Sequence, residues 1–219
     1  MLLLLACHPR VAEPPAPEVP TAAALVEAFN LARGAEELNG RSSVLIEGVI
    51  KTDDGEALYT ENITSERQYR MDTKVRGRAL VIACDGISGW VWSGVQPTAM
   101  TPNEQRAACA AMNLWAPLEG DTEVSTARLG GQDVWAVSFE QAGQPTRTVW
   151  FDQDTSFIVG RSWRVDSVDV VEHQLDWQDY EGVWLPSTVV DVPGGRTFEK
   201  RSVTWGPEEL PEFQMPDAY

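Results

Sequence analysis

Few side chains in this sequence are suited to chemistry. Cys7, Cys84 and Cys109 are its thiols, and His8 and His173 its imidazoles. Cys7 closes the short apolar run Leu2–Ala6. With Cys7 set aside, Cys84 and Cys109 remain as an even pair, which an exported protein would join. A bridge across about 25 residues contributes on the order of 3 kcal/mol in the loop-entropy model. The other reading is two buried thiols packed as small hydrophobes. Two histidines leave little room for imidazole catalysis or a multi-histidine metal site. His173 shares an alternating pattern with Val171, Leu175 and Trp177. A base there would need a nucleophile and an orienting third group. The chain has no Gly-x-Ser-x-Gly, His-Glu-x-x-His or Cys-x-x-Cys, so His173 is read as structural. Asp152-Gln153-Asp154 is the one place where a weak calcium site is considered, and the pairs Asp53-Asp54, Glu36-Glu37 and Glu208-Glu209 read as solvated. Asn62-Ile63-Thr64 matches a glycosylation sequon by chance. No catalytic residue, metal or cofactor is expected.

The elements that position these residues follow from periodicity. Thr21 caps a helix running to about Arg33, with Leu25, Val26, Phe29 and Leu31 apolar and Gly34 beyond its end. A short helical turn follows over Ala35–Asn39. From Ser43 the period becomes two, predicting strands over Ser43–Lys51, Glu56–Thr64, Gln68–Val75, Arg78–Asp85 and Gly89–Ser93. Thr101-Pro102-Asn103-Glu104 is a capping box with proline at the first helical position, opening a nearly all-apolar helix to about Trp115. Seven further strands are predicted at Glu123–Leu129, Gln132–Gln141, Thr146–Asp152, Phe157–Val165, Val168–Tyr180, Val183–Val192 and Arg196–Trp205. The fold class is mainly β (α+β). A large curved antiparallel sheet forms an incomplete barrel, closed or plugged by two or so helices.

The chain has 219 residues, 17 Lys+Arg, 33 Asp+Glu and a formal net charge of −16. So acidic a surface argues against binding nucleic acid or anionic head groups through its overall field. No apolar run approaches the ~18 residues of a transmembrane helix. Leu4-Leu5-Ala6-Cys7 resembles a bacterial lipobox, in which a small residue precedes a cysteine that becomes diacylated. Only six residues precede Cys7 and none is basic, so the full signal is expected to begin upstream. Residues 8–20 contain Pro9, Pro14, Pro15, Pro17 and Pro20, and read as an extended tether reaching about 40 Å. The expected organisation is a lipoprotein signal remnant with acylated Cys7 over 1–7, a tether over 8–20 and a folded domain over 21–219.

Three stretches of the folded part carry a resemblance. Asp85-Gly86-Ile87-Ser88-Gly89-Trp90, Val149-Trp150-Phe151-Asp152-Gln153-Asp154-Thr155 and Asp179-Tyr180-Glu181-Gly182-Val183-Trp184-Leu185-Pro186 are similar to turns and strand ends of LolA/LolB-type envelope lipoproteins. The order helix, strands, small helix, strands is similar as well, over about residues 21–205. The resemblance implies a half-barrel with an apolar cavity for acyl chains, and a partner that is a lipid or the acyl chain of a lipoprotein. An anchored member is closer to the receptor of that system than to its soluble carrier. His8 follows Cys7 where an acidic residue would favour the inner membrane, which tilts the expected location to the outer membrane, facing the periplasm.

Nine tryptophans suit the lining of a cleft. The candidate stripes are Tyr69 and Met71; Trp90 and Trp92; Trp135, Val137 and Phe139; and Met112, Leu114 and Trp115 on the second helix. The same stripes would equally make a plain core. The leading reading is a lipid-anchored envelope protein that binds a lipid or acylated ligand and has no chemistry of its own. The alternative is a structural or interaction lipoprotein with a filled core and an envelope protein as partner.

Overall fold

The computed structural model describes residues 18–75, 77–85, 87–102, 104–105, 114, 118, 120–140, 146–165, 168–192 and 194–215. The expectations for Cys7, Cys109, Met112 and Trp115, and for most of the second helix, lie outside the described residues.

Helix α1 spans Ala22–Ala32. The Thr21 hydroxyl accepts the Ala24 N–H at 3.2 Å, satisfying one of the donors a helix start leaves free. Gly34 then takes φ 74°, a left-handed conformation that glycine adopts without a Cβ penalty, and α2 follows over Ala35–Asn39. The capping box at Thr101 is formed. The Thr101 N–H donates to Glu104 Oε2 at 2.8 Å, and the Glu104 N–H donates to Thr101 Oγ1 at 3.3 Å.

The strands are β1 (Ser43–Thr52), β2 (Gly55–Thr64), β3 (Tyr69–Val75), β4 (Arg78–Cys84), β5 (Gly89–Trp92), β6 (Pro97–Ala99), β7 (Asp121–Leu129), β8 (Gln132–Glu140), β9 (Arg147–Asp152), β10 (Ile158–Val165), β11 (Val168–Tyr180), β12 (Val183–Asp191) and β13 (Arg196–Trp205). They form one curved antiparallel sheet in the order β6-β5-β4-β3-β2-β1-β13-β12-β11-β10-β9-β8-β7, which does not close. Alternation predicts twelve of these strands to within two residues at either end. The thirteenth, β6, is three residues long and starts with Pro97, so it has too few positions to alternate and lies at an edge, where a proline is tolerated.

Sheet pairing is sequential except between β1 and β13, which join the two runs of hairpins. Their register shifts at Glu47/Gly48. Gly48 is required there. A Cβ would strike the Glu199 carbonyl oxygen and come within 2.6 Å of the Tyr59 ring, which lies across that position.

The inner face of the sheet carries the helices and most of the core. Leu25 and Phe29 of α1 pack on Trp135, Val137, Phe139, Val149, Phe151 and Ile158. Phe29 lies edge-on to both Phe151 and Trp177. A second cluster gathers Val44, Ile46, Ile50, Tyr59, Ile63, Tyr69, Met71 and Cys84. A small third cluster joins Leu38 of α2 to Val183 and Leu185, and Leu114 packs against both the second and the third.

Candidate functional site

Register sorts the predicted lining residues onto two faces. Tyr69 pairs with Cys84 and Met71 with Ile82, all on the inner face in the second cluster. Trp135, Val137 and Phe139 are inner as well, beneath α1 in the first cluster. Leu114 is half-buried, and its carbonyl accepts from Arg33 Nη1 at 3.0 Å. Trp90 and Trp92 share a face with each other, as alternation requires, but it is the outer one. Trp90 pairs with Ala83 and Trp92 with Val81, residues that alternate with the inner Ile82 and Cys84.

On that outer face Val81, Ala83 and Trp90 form a separate buried cluster, with Trp92 against it. The chain after β13 returns here. Trp90 Nε1 donates to the Phe213 carbonyl at 2.9 Å, and Arg70 Nη1 donates to that of Glu212 at 2.8 Å. Phe213 itself is buried. Beside it lies a groove of about 760 Å³, lined among others by Leu58, Val81, Trp90, Trp92, Val95 and Pro97, with Arg70, Asp72 and Lys74 along it. Its size falls within the range of small-molecule sites. Arg70 and Asp72 form a bidentate pair, both contacts at 2.8 Å, so their charges are matched to each other.

The inner face holds a feature that composition does not reveal. Between its two large apolar clusters runs a polar seam. Glu61 sits between the inward Tyr59 and Ile63 of β2, and its carboxylate accepts from the Tyr69 hydroxyl at 3.1 Å. Lys200 lies opposite Gly48 and donates to the Pro186 carbonyl at 2.7 Å. Gln174 and Ser187 are buried. Arg161 pairs with Glu172 across β10 and β11 at 2.8 Å, and Arg161 in turn lies opposite the inward Val149. Arg147, next along β9, lies opposite Phe139 and Trp163.

Electrostatics mark the part of the seam at Glu61 and Lys200 as desolvated. Burial raises the Glu61 carboxyl above its ordinary range, against the opposing pull of Lys200 and the Tyr69 hydrogen bond. Burial lowers the Lys200 ammonium, with Glu61 opposing and Arg161 adding to the fall. Tyr69 is pushed up by burial and by Glu61. Arg147 is lowered by burial and by the positive charge of Arg161. These residues sit at inward positions of the alternation, and the charged letters within otherwise apolar inward columns are the signal that would have found them.

The other residues singled out by sequence have structural places. His173 pairs with Gly160 and Val190, on the face opposite the inward Glu172 and Gln174. Beyond Asp176, which takes φ 53°, the alternation breaks, and Trp177 stacks on Phe157 at 4.7 Å. Asp152 organises its turn rather than a cation. Its Oδ1 accepts from the N–H groups of Asp154 and Thr155 and from the Thr155 hydroxyl, and its Oδ2 accepts from Gln132. Among the described residues there is no cluster of three or more metal-ligating side chains. Cys84 is fully buried in the second cluster.

No known family model and no curated protein matches the sequence. Solved structures do match. A LolA superfamily protein from Nitrosomonas europaea superposes with a TM-score of 0.58 at 15% identity, covering 88% of this chain and 96% of the other. A DUF1329 family protein from Desulfovibrio piger superposes with a TM-score of 0.53 at 11% identity, covering 83% of this chain and 93% of the other. The fold of this chain is LolA-like.

Proposed function

We propose that this chain is a lipid-anchored protein of the bacterial envelope that holds a lipid or an acylated ligand on the inner face of its half-barrel. The observation that carries this reading is the division of that face. Two apolar clusters are separated by a charged seam in which the Arg161 and Glu172 side chains remain 31% and 15% exposed. Solvent therefore reaches the inner face between the clusters, where a solid core would exclude it. An acyl chain laid over the adjoining apolar surface would gain roughly 0.8 kcal/mol per methylene removed from water. The LolA-like fold supports the same reading. Cys7 is the proposed acylation site and residues 8–20 the tether. Cys84 and Cys109 are the proposed disulfide, which alkylation of the denatured, unreduced protein tests by the absence of thiols at both. The proposed location is the outer membrane, facing the periplasm, and the chain is proposed to carry no catalysis.

The groove of about 760 Å³ on the outer face favours a second reading, with the acyl chain against Trp90 and Trp92. Photo-crosslinking with a diazirine-bearing palmitate, followed by peptide mapping, separates the two. Labels on Val26, Leu118 or Val124 support the inner face. Labels confined to Leu58, Trp90 and Trp92 transfer the site to the groove. No labelling at all, with no lipid retained in native mass spectrometry, leaves the filled scaffold with an envelope-protein partner.

A further inference from the structure

Arg147 has no counter-ion among the described residues of a chain that has acidic residues to spare. Among the described residues it makes no ion pair and no side-chain hydrogen bond, although Asp+Glu outnumber Lys+Arg by 33 to 17. Its cross-strand neighbours are the aromatic side chains Phe139 and Trp163, 2% and 9% exposed. The charge that shifts it is another cation, Arg161. Elsewhere the seam is balanced: Arg161 is held by Glu172, and Lys200 faces Glu61. Arg147 stands outside these two pairings, at the edge of the apolar cluster under α1.

Such an arrangement is unfavourable for the empty protein. Partial burial thins the water around the five donors of the guanidinium, and a second guanidinium nearby repels it. An anion arriving between them reverses both effects, and its oxygens accept in the forked geometry that arginine offers carboxylates and phosphates. The position also fits a ligand of two parts. A head group at Arg147 lies beside Phe139, and the half-buried Leu118 and Val124, packed on the same cluster, continue from there as an apolar path.

We propose that Arg147, with Arg161 beside it, is the seat for the anionic head group of an amphiphile, a carboxylate or phosphate joined to an acyl chain that lies on the cluster under α1. This rests on the inner-face reading above and specifies its ligand class. The overall charge of −16 opposes an anion at long range, so the selectivity is local and short-ranged.

The test uses the full chain and displacement of a neutral naphthylamine dye by three ligands of equal chain length: palmitate, palmitoyl lysophosphatidate and monopalmitoylglycerol. Both anions should displace the dye at concentrations at least tenfold below the neutral glyceride. A lead of palmitate over lysophosphatidate assigns the carboxylate of a free fatty acid, and the reverse order assigns a lipid phosphate. Arg147→Gln should remove the preference while leaving the glyceride curve in place, and Arg147→Lys should keep most of it. Equal displacement by all three ligands, or a preference that survives Arg147→Gln, overturns the assignment of the head group but leaves acyl binding standing. Failure of the dye and of all three ligands to bind overturns the inner-face reading itself. Unfolding curves of both variants confirm that the sheet is intact.

Discussion

The two faces of β3–β5 use the same kind of residue for different ends. On the inner face Tyr69 and Met71 are buried by the rest of a curling sheet, with Leu114 packed over the second cluster. On the outer face Trp90 meets the segment after β13, through Phe213, while Val81 and Trp92 line an open groove beside it. Their charges differ in the same way. The outer face closes Arg70 onto Asp72 with both oxygens engaged, a matched pair at a partly exposed site. The inner face holds Glu61, Lys200 and Arg147 partly buried, with incomplete matching. An alternating aromatic pattern states that one face of a strand is covered. What covers it, and what charge is trapped beneath, decides whether that face is a core, a strap site or a binding surface.

The comparison breaks first at Phe29. It is 4% exposed and touches Phe151 and Trp177 edge-on, so it joins α1 to the sheet. Phe29→Ala should cost about 3–5 kcal/mol in urea unfolding, the range for a large aromatic removed from a core. A loss below about 1 kcal/mol would mean that α1 rests on the inner face without being packed into it. Phe213→Ala should cost less, about 1–3 kcal/mol, because the freed segment can be solvated rather than leave a sealed cavity. It should also speed proteolysis after Trp205 and leave palmitate binding unchanged. A loss of palmitate binding in Phe213→Ala would place the ligand on the outer face.

Much of this fold was legible because hairpin proteins write their strands plainly. Tyr69, Met71 and Thr73 alternate with Arg70, Asp72 and Lys74, and burial follows that alternation. The capping residues Thr21 and Thr101 mark helix starts that the structure keeps. The facing of Trp90 and Trp92 was not legible. Alternation relates residues within one strand, and only the β4–β5 register shows that Trp90 lies opposite Ala83 rather than Ile82. The groove depends on residues 205–215 crossing back over β3–β5, a contact 123 residues away along the chain from Trp90 to Phe213. The seam was half legible. Glu61 between Tyr59 and Ile63 breaks an inward column visibly, but its neighbours Lys200 and Glu172 come from strands distant in sequence and adjacent only after β1 pairs with β13.

The smallest expected effect is also the most discriminating, because its sign separates two accounts of the seam. Burial holds the Glu61 carboxyl above its ordinary range, with Lys200, Tyr69 and Arg161 opposing and Glu172 adding to the rise. A carboxyl raised in the folded state favours folding while it is protonated, below the unfolded value of about 4.3, and loses that contribution as pH rises through the folded value. At neutral pH the ionised Glu61 therefore costs stability. Glu61→Gln keeps an oxygen to accept from the Tyr69 hydroxyl and removes the charge. It should raise the urea midpoint at pH 7 by less than either aromatic truncation lowers it, and the gain should vanish as the pH falls below about 4. A fall at pH 7 would show that Glu61 works as the ion-pair partner of Lys200, with the attraction exceeding the cost of burial. The seam would then be a structural girdle like Arg70 and Asp72 on the outer face, and the contrast between the two faces would narrow to Arg147.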